Sequence, residues 1–161
     1  YKMLIVDDER TERDCIRYLI NSASLPLELK EAPDAATALQ ILKDWPADIL
    51  FTDVQMPVTT GLTLAKQVST LFPDIKILIF SSYAEFEYAR TAMSLGVEDY
   101  ILKPVVPKEL ENTLSGIIRQ LDEERHSRLL KDKQQSYLLQ YALHSCISKT
   151  LSRKFSPDII N

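Results

Sequence analysis

Four short runs of mostly consecutive apolar residues and one weaker, alternating stretch recur along the chain, each followed by a segment with helical spacing, and this alternation constrains the fold most. The runs are Met3-Leu4-Ile5-Val6, a weaker one over Leu27 to Lys30, Ile49-Leu50-Phe51-Thr52, Ile75 to Phe80, and Tyr100-Ile101-Leu102. The strong runs are apolar at successive rather than alternate positions, so each must bury both of its faces. Alternation of strands with helices at this spacing predicts a parallel sheet covered on both sides. Right-handed crossovers leave few topologies, and the flavodoxin-like order 2-1-3-4-5 is the expected one. The predicted fold class is therefore α/β, a doubly wound five-stranded parallel sheet, with a helical extension at the C-terminal end.

Local signals place the elements. Strands are expected over residues 3–7, 27–30, 48–52, 75–80 and 99–102. A first helix over 10–22, with Asp8 or Glu9 as its cap, sets Cys15, Ile16, Leu19 and Ile20 on one face. Asp34 stands as N-cap before the helix-forming run Ala35 to Leu42. Leu62, Ala65, Val68 and Leu71 read as the apolar stripe of the next helix. A helix from about 85 to 95 stops at Gly96, a left-handed cap, and a further helix starts at Lys108. In that last helix Leu110, Leu114, Ile117 and Leu121 repeat at 4-3-4 spacing. The seam suits either a helix docked on the sheet or a coiled coil, and both readings stay open. Charges fill the seam over 122–128, and apolar residues resume at Leu138, Leu139, Leu143 and Ile147. The expected division is a domain over 1–121 and a helical extension over 122–161.

Composition removes several function classes. A net charge of −4 is a poor match for nucleic acid, so these residues alone are not expected to bind DNA. No apolar run approaches the ~18 residues that span a bilayer, and no secretory start is visible. Cys15 and Cys146 lie far apart and read as reduced, small apolar residues of a cytoplasmic protein. The chain starts at Tyr1 and ends at Asn161 with no natural stop signal, so a fragment of a longer protein is expected.

The polar groups sit where such a sheet binds ligands. Asp7-Asp8, Asp53, Ser81 and Lys103 each close an apolar run, and the carboxyl ends of parallel strands open onto one edge. In the 2-1-3 order, strands one and three are neighbours, which brings Asp7, Asp8 and Asp53 together. Carboxylates so close repel one another unless a cation sits among them. Mg²⁺, which prefers oxygen ligands and keeps several waters, removes that penalty. Lys103 and Ser81 would neutralise and hydrogen-bond phosphoryl oxygens, and one carboxylate would act as nucleophile to form an acyl phosphate. Each residue alone has a plainer explanation: Asp8 and Asp53 as helix caps, Ser81-Ser82 as turn formers, Lys103-Pro104 as a strand exit. The convergence at one edge is the signal.

The blocks Val6-Asp7-Asp8-Glu9, Asp53-Val54-Gln55-Met56-Pro57 through Gly61, Ser81-Ser82-Tyr83 and Tyr100-Ile101-Leu102-Lys103-Pro104 occur in order over residues 2–121. They resemble the receiver domain of bacterial two-component response regulators. The resemblance implies Asp53 as phospho-acceptor and Mg²⁺ ligand, Asp8 as principal Mg²⁺ ligand with Asp7 acting through water, and the Gln55 carbonyl as a further ligand. It implies Ser81 and Lys103 as phosphate contacts, a cis Lys103-Pro104 bond, and Ser81 with Tyr100 as the switch pair that repacks the surface of helix four, strand five and helix five. It also implies a sensor histidine kinase as phosphoryl donor, docking near Arg13, Asp14 and Tyr18, and a homodimer on activation. His126 and His144 read as solvated helix residues rather than phosphoryl carriers. Gln55 and Tyr83 stand where the family controls water access, so a bulky Tyr83 implies a long-lived phosphate.

The segment Glu85 to Arg90, leading to Gly96 through Tyr100, resembles receivers joined to AraC-type helix-turn-helix transcription regulators, and so does the long charged helix. DNA binding would then belong to a domain beyond Asn161. The expected role is a phospho-acceptor rather than an enzyme. An aspartyl phosphatase would place an acid two residues after its nucleophile, and here that position is Gln55. A phosphorylation-independent interaction module is the remaining alternative.

Overall fold

The computed structural model describes residues 1–82 and 86–154. Five strands, β1 (Lys2–Val6), β2 (Glu28–Ala32), β3 (Ile49–Asp53), β4 (Lys76–Ser81) and β5 (Asp99–Leu102), form one sheet in the order β2-β1-β3-β4-β5. Every pairing is parallel. Five helices alternate with them: α1 (Arg10–Ser22), α2 (Ala35–Asp44), α3 (Gly61–Leu71), α4 (Phe86–Ser94) and α5 (Pro107–Lys154). This is the expected doubly wound architecture, with β1 lying one residue earlier than expected, β2 ending two residues later, and β3 and β4 each ending one residue later.

The burial pattern follows from strand position. β3, in the centre, is buried at every residue, whereas edge strand β2 alternates and buries only Ala32 fully. That is why Leu27 to Lys30 reads weakly in the sequence: an edge strand keeps water on part of its surface. On one face of the sheet, Leu4, Val6, Leu50, Ile77 and Ile79 join one core with Ala38, Leu42, Leu64, Val68 and Ala92 from α2, α3 and α4. The alternate strand residues Met3, Ile5, Phe51, Leu78 and Phe80 are equally buried and point to the opposite face. Ile16 and Ile20 of α1 and Leu110, Leu114 and Ile117 of α5 supply buried apolar surface on helices outside that first core.

Helix boundaries have identifiable causes. Asp34 caps α2 by accepting a 2.7 Å hydrogen bond from the Thr37 backbone N–H, as expected. Glu9 caps α1 without a side-chain bond. Gly96 ends the α4 segment with a φ of 73°. In α3 the buried face is Gly61, Leu64, Ala65 and Val68, and Leu71, expected on that stripe, is exposed. Likewise Cys15, expected on the buried face of α1, is exposed.

The chain divides into two compact units, Tyr1–Ile118 and Arg119–Asn161. In the second, α5 continues as a helix whose Leu129, Tyr137, Leu139, Leu143 and Ile147 side chains are exposed. Among the described residues no helix is long and apolar enough to cross a membrane.

Candidate functional site

The register β2-β1-β3-β4-β5 carries the strand ends to one edge. Asp7 follows β1, Asp53 closes β3, Ser81 closes β4 and Lys103 follows β5. Val6 pairs with Thr52, Asp53 with Phe80, and Ser81 with Leu102, so the four polar residues stand in adjacent columns. Lys103 donates its backbone N–H to the Ser81 carbonyl at 2.8 Å, which extends the β4–β5 ladder to the site.

Lys103 is the centre of the arrangement. Its Nζ lies 3.1 Å from Asp7 Oδ2 and 3.3 Å from Asp53 Oδ1, with Glu12 Oε2 farther off at 3.8 Å. Asp7 is 1% exposed and Asp53 7%. Asp7 Oδ1 accepts from the Glu9 backbone N–H at 2.7 Å, and Asp53 Oδ2 accepts from the Gln55 N–H at 3.0 Å. Each buried carboxylate therefore has one oxygen on a backbone donor and the other on Lys103, as buried charges require.

Electrostatics leave Asp53 the less comfortable of the two charges. Its pKa is raised because burial disfavours the anion, an effect that Lys103 counters and the Asp7 charge reinforces. Burial pushes the Lys103 ammonium downward, but the charges of Asp53, Asp7 and Glu12 outweigh it, and the net direction is up. Protonated Lys103 beside a reluctant Asp53 anion is a site short of positive charge.

Of the three carboxylates expected to converge, Asp7 and Asp53 meet on Lys103, while Asp8 lies exposed at the rim. Accordingly, no cluster of three or more His, Cys, Asp or Glu side chains suited to a metal occurs among the described residues. In the buried pair, the Lys103 ammonium serves as the cation shared by both carboxylates. The donor chemistry still suits a hard divalent ion: the two carboxylates on the sheet edge offer oxygen ligands, and water would supply the rest.

Local backbone explains how Asp53 is presented. A Cβ added to Gly61 would come within 1.8 Å of the Asp53 carbonyl oxygen, so only glycine lets α3 begin this close to β3. The Gly61 N–H donates to the Val54 carbonyl at 2.8 Å, closing the loop. Ser81 is buried beside the site, and the Lys103-Pro104 bond is cis. Tyr100 is partly buried and packs against the core formed by α2, α3 and α4. Tyr83 lies outside the described residues.

Two contributions escape the sequence reading. Arg13, expected as a docking residue, is turned inward: Nη1 donates to the Asp7 carbonyl at 2.6 Å and Nε to Glu31 at 3.3 Å. Asp14 and Tyr18 remain on the outer surface of α1, Tyr18 largely exposed and Asp14 paired with Arg17. The second is Phe80, whose ring centre lies 4.7 Å from the Lys103 Nζ. His126 and His144 are exposed on α5, as expected, and Cys15 and Cys146 are exposed and in no disulfide, rather than packed apolar residues.

Comparison with known proteins agrees with this geometry. Residues 3–115 match the family model described as the response regulator receiver domain. The chain is 37% identical over 122 residues to the uncharacterized transcriptional regulatory protein YesN of Bacillus subtilis, covering 75% of this chain and 33% of that protein. It is 32% identical over 126 residues to the transcriptional regulatory protein HptR of Staphylococcus aureus, covering 78% and 49%. The chain thus spans a third to a half of the length of these curated relatives. Among solved structures, the receiver domain of AraT, a response regulator from Geobacillus stearothermophilus, aligns with a TM-score of 0.69 at 35% identity, covering 78% of this chain and 98% of that one. A two-component transcriptional regulator AraC from Clostridium phytofermentans aligns equally well at 31% identity, again covering 78% and 98%.

Proposed function

The chain belongs to the response regulator receiver domain family, and from that premise we propose that it is a phospho-acceptor switch whose acceptor is Asp53. The observation that carries the reading is the Lys103 ammonium seated 3.1 Å from Asp7 and 3.3 Å from Asp53 at the carboxyl edge of the sheet. A phosphoryl group arriving at Asp53 would meet a positive charge that is already placed. Asp53 attacks phosphorus, the O–P bond of an acyl phosphate forms, and the N–P bond of a donor phosphohistidine breaks, leaving its imidazole to take up a proton. Asp7, Asp8, Asp53 and the Gln55 carbonyl are the residues assigned to hold Mg²⁺, which when bound neutralises charge on the phosphoryl oxygens. Ser81 supplies a hydroxyl to one of those oxygens. The chain is read as an acceptor and not as an enzyme acting on other substrates.

The donor is read as a sensor histidine kinase. A shallow groove of about 390 Å³ beside Lys103, lined by Glu12, Cys15 and Ile16 of α1 with Ser82 and Val105, is the docking region this reading favours. Phosphorylation adds charge and acceptor oxygens at Asp53. Ser81 drawn toward them would free space for Tyr100, and the surface of α4, β5 and α5 would repack, a shift between two populations. The names of the similar relatives support transcription control as the output, exerted through a DNA-binding domain outside this chain and a homodimer formed on activation.

Intact-protein mass after treatment with acetyl phosphate and Mg²⁺ tests the reading. One phosphate addition that requires Mg²⁺ and disappears in Asp53→Ala is the expected result. No addition in either protein would favour a phosphorylation-independent interaction module instead.

A further inference from the structure

Lys103 is held from more sides than its carboxylates account for. Its Nζ lies 4.7 Å from the centre of the Phe80 ring, within cation–π range, and Phe80 is fully buried. Phe80 pairs with Asp53 across the β3–β4 ladder. Its ring is stacked on Phe51, with centroids 4.3 Å apart and planes 11° from parallel. Phe51 lies two residues before Asp53 on the same strand, hence on the same face. The result is a layered support, Phe51 under Phe80 under the Lys103 ammonium, immediately beside the Asp53 carboxylate.

The partners of Lys103 differ in what a ligand does to them. Asp7 and Asp53 are the groups that a divalent cation and a phosphoryl group would claim, so both lose their grip on Lys103 in the loaded site. Glu12 is 3.8 Å away and 40% exposed, where solvent weakens an ion pair. The ring of Phe80 offers no oxygen to a cation and stays where the sheet puts it. A lysine stem has several free torsions, and an ammonium released by both carboxylates would wander without such a seat.

We propose that Phe80, backed by Phe51, is a positioning residue that keeps the Lys103 ammonium aimed at the phosphoryl position when Asp7 and Asp53 turn to their ligands. The proposal rests on the reading of Asp53 as phosphoryl acceptor. It assigns to an apolar position of β4 a part in the chemistry that burial alone does not reveal.

Two measurements on the full chain decide it. In the first, the ε-methylene protons of Lys103 are assigned by NMR in the wild-type protein and in Phe80→Leu. Ring current from Phe80 should shift them upfield in the wild type, and the shift should vanish in the variant. An ordinary wild-type position overturns the proposal without reference to activity. In the second, rates of phosphorylation by acetyl phosphate and Mg²⁺ are compared for wild type, Phe80→Leu, Lys103→Met and the double variant. Phe80→Leu should slow the reaction about tenfold in the wild-type background and leave it unchanged in the Lys103→Met background. Equal losses in both backgrounds mean that Phe80 acts only through packing, and the proposal fails. Phe80→Met, which keeps volume without a ring, replaces the leucine variant if that chain does not fold. Wild-type protein that takes up no phosphate overturns the acceptor reading, and the resonance position still decides whether the ring holds Lys103.

Discussion

At the scale of single residues, the site carries an electrostatic cost that a substitution can expose. Burial and the Asp7 charge raise the Asp53 pKa above its ordinary value of 3.8. A carboxyl with a raised folded-state pKa binds its proton more readily folded than unfolded, so its ionisation destabilises the native state as pH rises through that pKa. Asp53→Asn should therefore increase stability at pH 7 by on the order of 1 kcal/mol, the scale of relieving one incompletely compensated buried charge. The advantage should shrink as the pH falls below the folded-state pKa of Asp53, which urea titrations of both proteins at several pH values would read. Gly61 makes the opposite case. A methyl there collides with the Asp53 carbonyl oxygen, so Gly61→Ala should cost about 1–3 kcal/mol or more and slow phosphorylation by displacing Asp53. Chemical denaturation and the acetyl phosphate assay would show both losses together. The identity of Asp7, Asp53, Ser81 and Lys103 was legible from their places at the ends of apolar runs. Their partners were not, because Arg13 and Phe80 lie at positions whose orientation depends on packing between elements.

At the scale of elements, what is legible tracks how far the signal is local. The α2 cap is a matter of four consecutive residues, and Asp34 bonds Thr37 as its sequence context predicts. That bond also lowers the Asp34 pKa, so its contribution is present above pH ~4 and is lost as pH falls through the lowered value. Asp34→Ala should cost about 1 kcal/mol at neutral pH, and the difference from wild type should narrow in acid, as thermal melts would record. Strands β3 and β4 announce themselves because burial on both faces leaves unbroken apolar runs. β2 is faint because the sheet edge lets it alternate. The faces of α1 and α3 were less secure: Cys15 and Leu71 fit a helical stripe by spacing, yet both point to solvent. Spacing alone fixes a stripe only to within a residue or so on either side, and the neighbouring element selects which of those residues is covered.

At the scale of the whole chain, every residue of the proposed acceptor site lies in the unit Tyr1–Ile118. A chain ending at residue 121 should therefore keep cooperative unfolding and Mg²⁺-dependent phosphate uptake, which calorimetry and intact mass would check. The remaining helix is different in kind. Its exposed Leu129, Leu139, Leu143 and Ile147 leave apolar surface in water. If they serve the proposed homodimer, the full chain should self-associate on phosphorylation in sedimentation experiments, and Leu139→Glu with Leu143→Glu should abolish the association.

The sequence by itself determined the strand–helix alternation, the parallel doubly wound sheet and the chemical character of its carboxyl edge. All three follow from local burial and chain connectivity, which the order of residues carries directly. Only the tertiary structure decided that Lys103 bridges Asp7 and Asp53, that Asp8 stands outside the pair, and that Phe80 and Arg13 hold the site from below and beside it. Those facts depend on which side chains meet across strands and helices far apart in sequence. A charge can be placed on an edge by its position in the chain, but its partners are selected by packing.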